Sequence, residues 1–173
     1  IMDVASSFGL LVLEDCAEAL GASYNGKKAG SIGDAAIVSF FANKVVTTGE
    51  GGSLHIRSQE AFERAKVLRD HGMRPGKRYW HDTVGYNYRM TNIQAAIGCA
   101  QLEQLEMFER KRAQIFSAYD ERFSQNNILG TQRVNPGSKS ANWLYTLILK
   151  GDFSHKRDEL MHHLKANGVD TRP

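Results

Sequence analysis

The chain is poor in cysteine and proline, with two and three in 173 residues, and it has no long apolar run. Cys16 and Cys99 form no CxxC pair and neither has a histidine at metal-ligand spacing, which argues against a disulfide framework and against a zinc site. No stretch of about 18 apolar residues occurs, and no charged-then-apolar leader, so neither a membrane span nor a signal peptide is visible. An excess of one charge is lacking too. The 22 Lys and Arg face 19 Asp and Glu, a net charge of +3, and the cations are scattered or paired with acids rather than gathered in a block. That pattern does not favour nucleic acid as a partner. A reducing, cytoplasmic setting is expected.

What is present is the makeup of an ordinary globular protein, 42% hydrophobic and 24% charged, long enough for one sizeable core. Ile1 to Phe8 reads as the tail of a helix. LLVLED, Leu10 to Asp15, is a short continuous apolar run ending in two acids, the pattern of a strand buried on both faces of an α/β sheet. Asn25 and Gly26 then mark a hairpin, AAIVSFF a second buried strand and GGSLHIR a third. Ser58 opens a helix with Ala61, Phe62, Ala65 and Leu68 at helical spacing, without the acid or amide that completes a capping box. From His71 to Met90 the chain is loop-like, and a loop of about 20 residues suggests a function. Helical periodicity returns from Thr91, with a break near Glu103 to Glu106. ANWLYTLILKGDF reads as a strand, and HKRDELMHHLKANG as a helix closed by Gly168. Both ends look cut, so an internal piece of a longer protein is expected.

Asp15 and Lys44 each lie just after a strand read as buried, and ligands bind at the carboxyl ends of strands in an open α/β sheet. Partial desolvation there favours the neutral amine that attacks a carbonyl, which makes Lys44 a candidate Schiff-base lysine. A carboxylate and an amine in one cleft match the needs of pyridoxal phosphate, which uses a lysine for its aldehyde and an Asp for its pyridine nitrogen. On spacing alone the blander reading is favoured, with Asp15 capping a helix over CAEAL and Lys44 a solvated loop lysine.

The stretch LEDCAEALGASYNGKKAGSIGDAAIVSFFANKVVTTGEGG resembles the central signature of the DegT/DnrJ/EryC1/StrS aminotransferases, pyridoxal-phosphate enzymes acting on nucleotide-linked keto-sugars. The resemblance continues through RDHGMRPGKRYWHDTVGYNYRMTNIQAAIGCAQLEQL and covers nearly all of the chain. It implies the central part of a fold type I aminotransferase, a mostly parallel sheet flanked by helices, leading into a smaller α+β C-terminal domain. Residues 1–107 would belong to the large cofactor-binding domain. Residues 108–173 would form a linking helix and the start of the small domain.

By the same resemblance Lys44 links the cofactor, Asp15 pairs with the pyridinium nitrogen, Ser39 bonds the phosphate and Glu18 lies near the ring oxygen. A carboxylate at Glu18 would need a proton or a cationic neighbour. Asn87, in GYNYRM, is implied to reach the phosphate of a neighbouring subunit, hence a homodimer with shared sites. Arg89 suits an anionic group of the donor or of the sugar nucleotide. Arg78 and Trp80, in MRPGKRYWHD, offer a cation and an aromatic face to the nucleotide sugar; the alternative for that loop is packing on a partner subunit. SFFANKVVTTGEGG and KRYWHDTVGYNYRMTNIQAAIG look most like the perosamine synthase branch, which aminates a GDP-linked 4-keto-6-deoxy sugar, with glutamate as the expected donor. A dehydratase branch replaces the lysine by His, which Lys44 argues against. A non-catalytic member of the fold is the other alternative, against which the pairing of Asp15 with Lys44 speaks.

Overall fold

The apolar run from Leu10 shortens to a three-residue strand, β1 (Leu13–Asp15), in the computed structural model, which describes residues 1–173. Helix α1 (Met2–Ser7) precedes it. β1 pairs in parallel with β4 (Ala35–Ser39), and β4 pairs antiparallel with β5 (Gly52–Ile56), giving the order β1-β4-β5. The pairing is thus half parallel and half antiparallel. A parallel pair needs a long crossover, which residues 16–34 supply between β1 and β4; β4 and β5 are joined by a compact turn, and only antiparallel strands accept one.

β4 has a neighbour on each side and buries Ala36 and Val38, which form a small core with Cys16 beneath Ala19, Leu20, Ala29 and Phe40. Within residues 1–173, β1 is not buried on both faces: it has one neighbour there, and Leu11 and Leu13 are 86% and 64% exposed.

Asn25 and Gly26 make the hairpin between β2 (Ser23–Tyr24) and β3 (Lys27–Lys28), with φ of 46° and 77°. Two successive positive φ values belong to a tight primed turn, which Asn-Gly accommodates at low cost. The other edge of β2 takes β7 (Ser138–Lys139), a pairing that the sequence pattern did not announce.

Helix α2 (Gln59–Arg69) begins where Ser58 Oγ accepts the Ala61 N–H at 3.3 Å. Helix α3 (Asn92–Leu102) begins with a full capping box, Thr91 and Gln94 each bonding the other's backbone. The chain breaks at Glu103 and Gln104 before α4 (Leu105–Phe123), within the expected break.

Two compact units result. The first comprises residues 1–109 with 136–143, the second 110–135 with 144–173. ANWLYTLILKGDF is therefore not one strand. Ala141 is buried and the Trp143 indole N–H donates to Asn43 O at 2.9 Å, so the start of this run stays with the first unit. Only Leu147–Leu149 forms a strand, β8, paired antiparallel with β6 (Leu129–Thr131) in the second unit. There the Tyr145 ring packs on Phe116 and Tyr119, and α5 (Arg157–Ala166) ends before Gly168 at φ 81°. No helix is long and apolar enough to cross a membrane.

Candidate functional site

Between β4 and β5 the chain makes a turn, residues 40–51, that carries Lys44. One carbonyl organises it: Phe40 O accepts the Thr48 N–H at 2.9 Å and the Thr47 hydroxyl at 3.1 Å, and the Phe40 N–H donates to Gly51 O. Val45, Val46 and Thr48 are buried, so the turn is anchored by apolar packing as well. From α3, the Gln101 side chain accepts the Thr47 N–H at 3.0 Å. Gly98 lets that helix come close; a Cβ there would lie 3.0 Å from Thr48 Cγ2.

On this anchored turn the Lys44 side chain is 13% exposed, and its Nζ lies 3.2 Å from Glu18 Oε1 and 3.9 Å from the centroid of the Trp143 ring. Glu18 itself is 60% exposed. The cation that a carboxylate at Glu18 requires is thus Lys44. Asp15, at the end of β1, accepts the Ala17 N–H at 3.0 Å through Oδ1. No helix follows it, since residues 16–22 form turns, so Asp15 caps a turn and not a helix over CAEAL. Nor is Lys44 a solvated loop lysine. Ser39 ends β4 and its Oγ accepts the Phe41 N–H at 3.2 Å.

Glu14, next to Asp15, went unnoticed in the sequence, where it passed as one of two acids closing a strand. Its Oε1 accepts the N–H of Ile32 and Gly33, both at 2.7 Å, and its Oε2 that of Gly30 at 2.9 Å. Burial pushes this carboxyl up, but the N–H groups of Gly33, Gly30 and Ile32 and the Arg57 charge together hold it below its ordinary value. The strand end that bears Asp15 is thereby fixed to the loop after the hairpin. Burial, followed by the charges of Glu14 and Asp15, pushes the Cys16 thiol up, which makes it a packing residue and a poor nucleophile.

The remaining candidates lie in the segment between α2 and α3 of the first unit. Arg89 pairs with Asp70 at 3.4 Å, and Asn87 forms an isolated backbone bridge with Asp70. Arg78 and Arg89 line an open cleft with Asp70, His71, Tyr79 and His81. Trp80 is covered by the Lys77 ammonium at 3.8 Å, and its indole N–H donates to Asp82. Asn87, Arg89, Arg78 and Trp80 are all exposed, and none makes a hydrogen bond or ion pair with Lys44, Glu18, Asp15 or Ser39. Trp143 is the residue that motif reading missed at the lysine; it stands 99 positions further along, and no local spacing connects the two.

An amine at low exposure with the Glu18 carboxylate beside it, a second carboxylate at the end of β1 and a hydroxyl at the end of β4 make a donor set that suits pyridoxal phosphate: amine for aldehyde, carboxylate for ring nitrogen, hydroxyl for phosphate. Asn43 Oδ1, next to the lysine, is buried without a hydrogen-bond partner.

Residues 1–173 match the DegT/DnrJ/EryC1/StrS aminotransferase family. Among curated relatives, GDP-perosamine synthase of Caulobacter vibrioides is 43% identical over 100% of this chain and 47% of its own length. Among solved structures, the aminotransferase TlmJ from Streptoalloteichus hindustanus superposes with a TM-score of 0.91 at 29% identity, covering 99% of this chain and 46% of that one. A putative sugar aminotransferase, Spr1654 from Streptococcus pneumoniae in its PLP-form, has a TM-score of 0.86 at 27% identity, over 96% and 44%. The chain spans about half the length of these proteins.

Proposed function

The chain belongs to the DegT/DnrJ/EryC1/StrS aminotransferase family, and from that premise we propose that it carries the cofactor-linking lysine of a sugar-nucleotide aminotransferase. The enzyme moves an amino group from an amino acid, glutamate first among the donors, to a nucleotide-linked 4-keto-6-deoxy sugar. The perosamine synthase relative supports a GDP-linked sugar. The observation that carries the reading is Lys44: a primary amine 13% exposed, on a turn at the carboxyl end of β4, with Glu18 at 3.2 Å.

Pyridoxal phosphate, when bound, supplies an electron sink that makes a substrate C–H bond acidic. Lys44 holds it through Nζ and, once released, moves a proton to and from the substrate carbon. Asp15 serves as ionic partner of the ring nitrogen and keeps it protonated. Ser39 turns its hydroxyl to the phosphate. Glu18 neutralises the Lys44 charge while the amine is unlinked and holds it against the turn. Asn87 serves the phosphate in a second copy of the chain, and Arg89, Arg78 and Trp80 meet the anionic and aromatic parts of the substrates. Their exposure, and their separation from Lys44 in hydrogen bonding, support a homodimer with shared sites. The two free cysteines fit a reducing, cytoplasmic setting.

The test uses the full-length protein. Adding pyridoxal phosphate gives the visible absorbance of a lysine-bound cofactor, which borohydride fixes as a mass increment on Lys44; glutamate then bleaches it. Lys44→Ala abolishes absorbance, increment and transfer, and a variant retaining any of these refutes the assignment. Asp15→Asn keeps the cofactor but turns over poorly. An unchanged rate reduces Asp15 to a turn cap.

A further inference from the structure

Trp143 comes from a segment remote in sequence, yet it meets Lys44 in two ways. Its ring face lies 3.9 Å from Nζ, well inside the range in which an ammonium is attracted to an indole. Its Nε1 donates to the backbone oxygen of Asn43, the residue just before Lys44, at 2.9 Å. One hydrogen bond therefore ties the backbone that bears the lysine to the ring on which the ammonium rests. With Glu18 Oε1 at 3.2 Å from Nζ, the amine is held by a carboxylate and a π face together.

The ring is delivered by a chain of contacts within the first unit. The Asn25 N–H donates to Gly137 O at 2.7 Å, β7 pairs with β2, and Ala141 is buried. The Lys139 ammonium pairs with Glu109, which also meets Lys28 at 3.9 Å. The Asn25-Gly26 hairpin thus sets where residues 136–143 run, and those residues set where the indole lies.

We propose that Trp143 is a positioning residue for Lys44, its indole face fixing the place of Nζ and its N–H fixing the backbone beside it. This rests on reading Lys44 as the cofactor-linking amine. The ring acts through the lysine, and needs no contact with substrate. A lysine has four rotatable side-chain bonds, so an unheld amine samples many positions, and a misplacement of about 1 Å at a reacting atom costs about a hundredfold in rate.

The experiment compares two reactions of Lys44 in the full-length protein, read by mass spectrometry. One is acetylation by a small, unselective reagent in the cofactor-free protein. The other is capture of pyridoxal phosphate, fixed with borohydride. The ratio of capture to acetylation separates position from mere accessibility. In Trp143→Ala that ratio falls by roughly 5- to 30-fold, the size of an ion–π contact of about 1–2 kcal/mol. Trp143→Phe keeps a π face and recovers most of the ratio. An unchanged ratio in Trp143→Ala, or an equal fall in Trp143→Phe and Trp143→Ala, overturns the proposal.

Should Trp143→Ala fail to fold, the contact is read from the other side, since Lys44→Met removes the charge and shifts the component of tryptophan emission that Trp143→Phe removes. Unchanged emission refutes the proposal. If the unsubstituted protein captures no cofactor at Lys44, the proposed function fails instead, while acetylation and emission still report whether Trp143 holds the amine.

Discussion

Replacing Glu14 by Gln is expected to cost the full-length protein about 2 kcal/mol of stability at pH 7, and less as the pH falls toward 4. Three backbone N–H groups converge on this carboxylate, two on Oε1 at 2.7 Å and one on Oε2 at 2.9 Å. A hydrogen bond to a charged group contributes roughly 1.5–3 kcal/mol against about 1 for a neutral pair. Gln keeps one oxygen for Ile32 and Gly33, demoting both bonds to neutral ones, and turns an amide NH₂ toward the Gly30 N–H, where donor meets donor. Two demotions of about 0.5–2 kcal/mol each and one unmatched donor at about 1–3 sum to roughly 2–7 kcal/mol, and water reaching this half-buried place keeps the loss at the low end, about 2. The pH dependence follows from the lowered carboxyl. A group held below its unfolded value, near 4.5, contributes fully above that value and loses its contribution as the pH falls through the folded one. Urea unfolding reads the difference: at a slope of roughly 2 kcal/mol per M, the midpoint falls by about 1 M at pH 7. An unchanged midpoint at pH 7, or a deficit that persists undiminished at pH 4, would refute the reasoning.

Gly98→Ala sets two effects against each other. Ala in place of a helical Gly gains about 0.5–1 kcal/mol, while overpacking costs typically 1–3; with Thr48 Cγ2 at 3.0 Å the second wins, so stability falls by about 1 kcal/mol and cofactor capture at Lys44 slows. A more stable variant with normal capture would show that α3 does not brace the turn. In the second unit, burial and the bond to Asp120 push the Tyr145 hydroxyl up to about 12. Its stabilising contribution is complete below the ordinary tyrosine value and is lost as the pH rises through the folded one, so alkaline ultraviolet titration shows a late-ionising component that Tyr145→Phe removes. A single common ionisation in both proteins contradicts this.

Local chemistry made parts of the fold legible. Asn25-Gly26 adopts positive φ at both positions, Ser58 caps α2, and Gly168 ends α5 with the Val169 N–H returning to Leu164 O. Each depends on residues within a few positions of one another. Pairings that depend on distant segments were illegible: β7 is two residues long, joins β2 from more than a hundred positions away, and carries no alternation that a period of two could reveal. The exposure of β1 within residues 1–173 has a related reason. An apolar run states that a strand can be buried on both faces, whereas exposure depends on which elements lie beside it, and within these residues β1 has β4 alone.

The same division runs through the candidate site. Lys44 and Asp15 could be picked out because each stands at or just beyond the carboxyl end of a strand, and such a position is a local property. What distinguishes Lys44 from a solvated lysine is not local. Its low exposure comes from a turn anchored on Phe40 O, a bond from Gln101, the carboxylate of Glu18 and the ring of Trp143, four groups spread over residues 18 to 143. Glu14 shows the converse, since it sits beside Asp15 with the same charge, yet its three N–H partners assign it to the scaffold while Asp15 keeps a single local bond. A carboxylate whose lone pairs are already taken by backbone N–H groups has little capacity left for a ligand. Between two adjacent acids at one strand end, it is the less satisfied Asp15 that remains available to a cofactor.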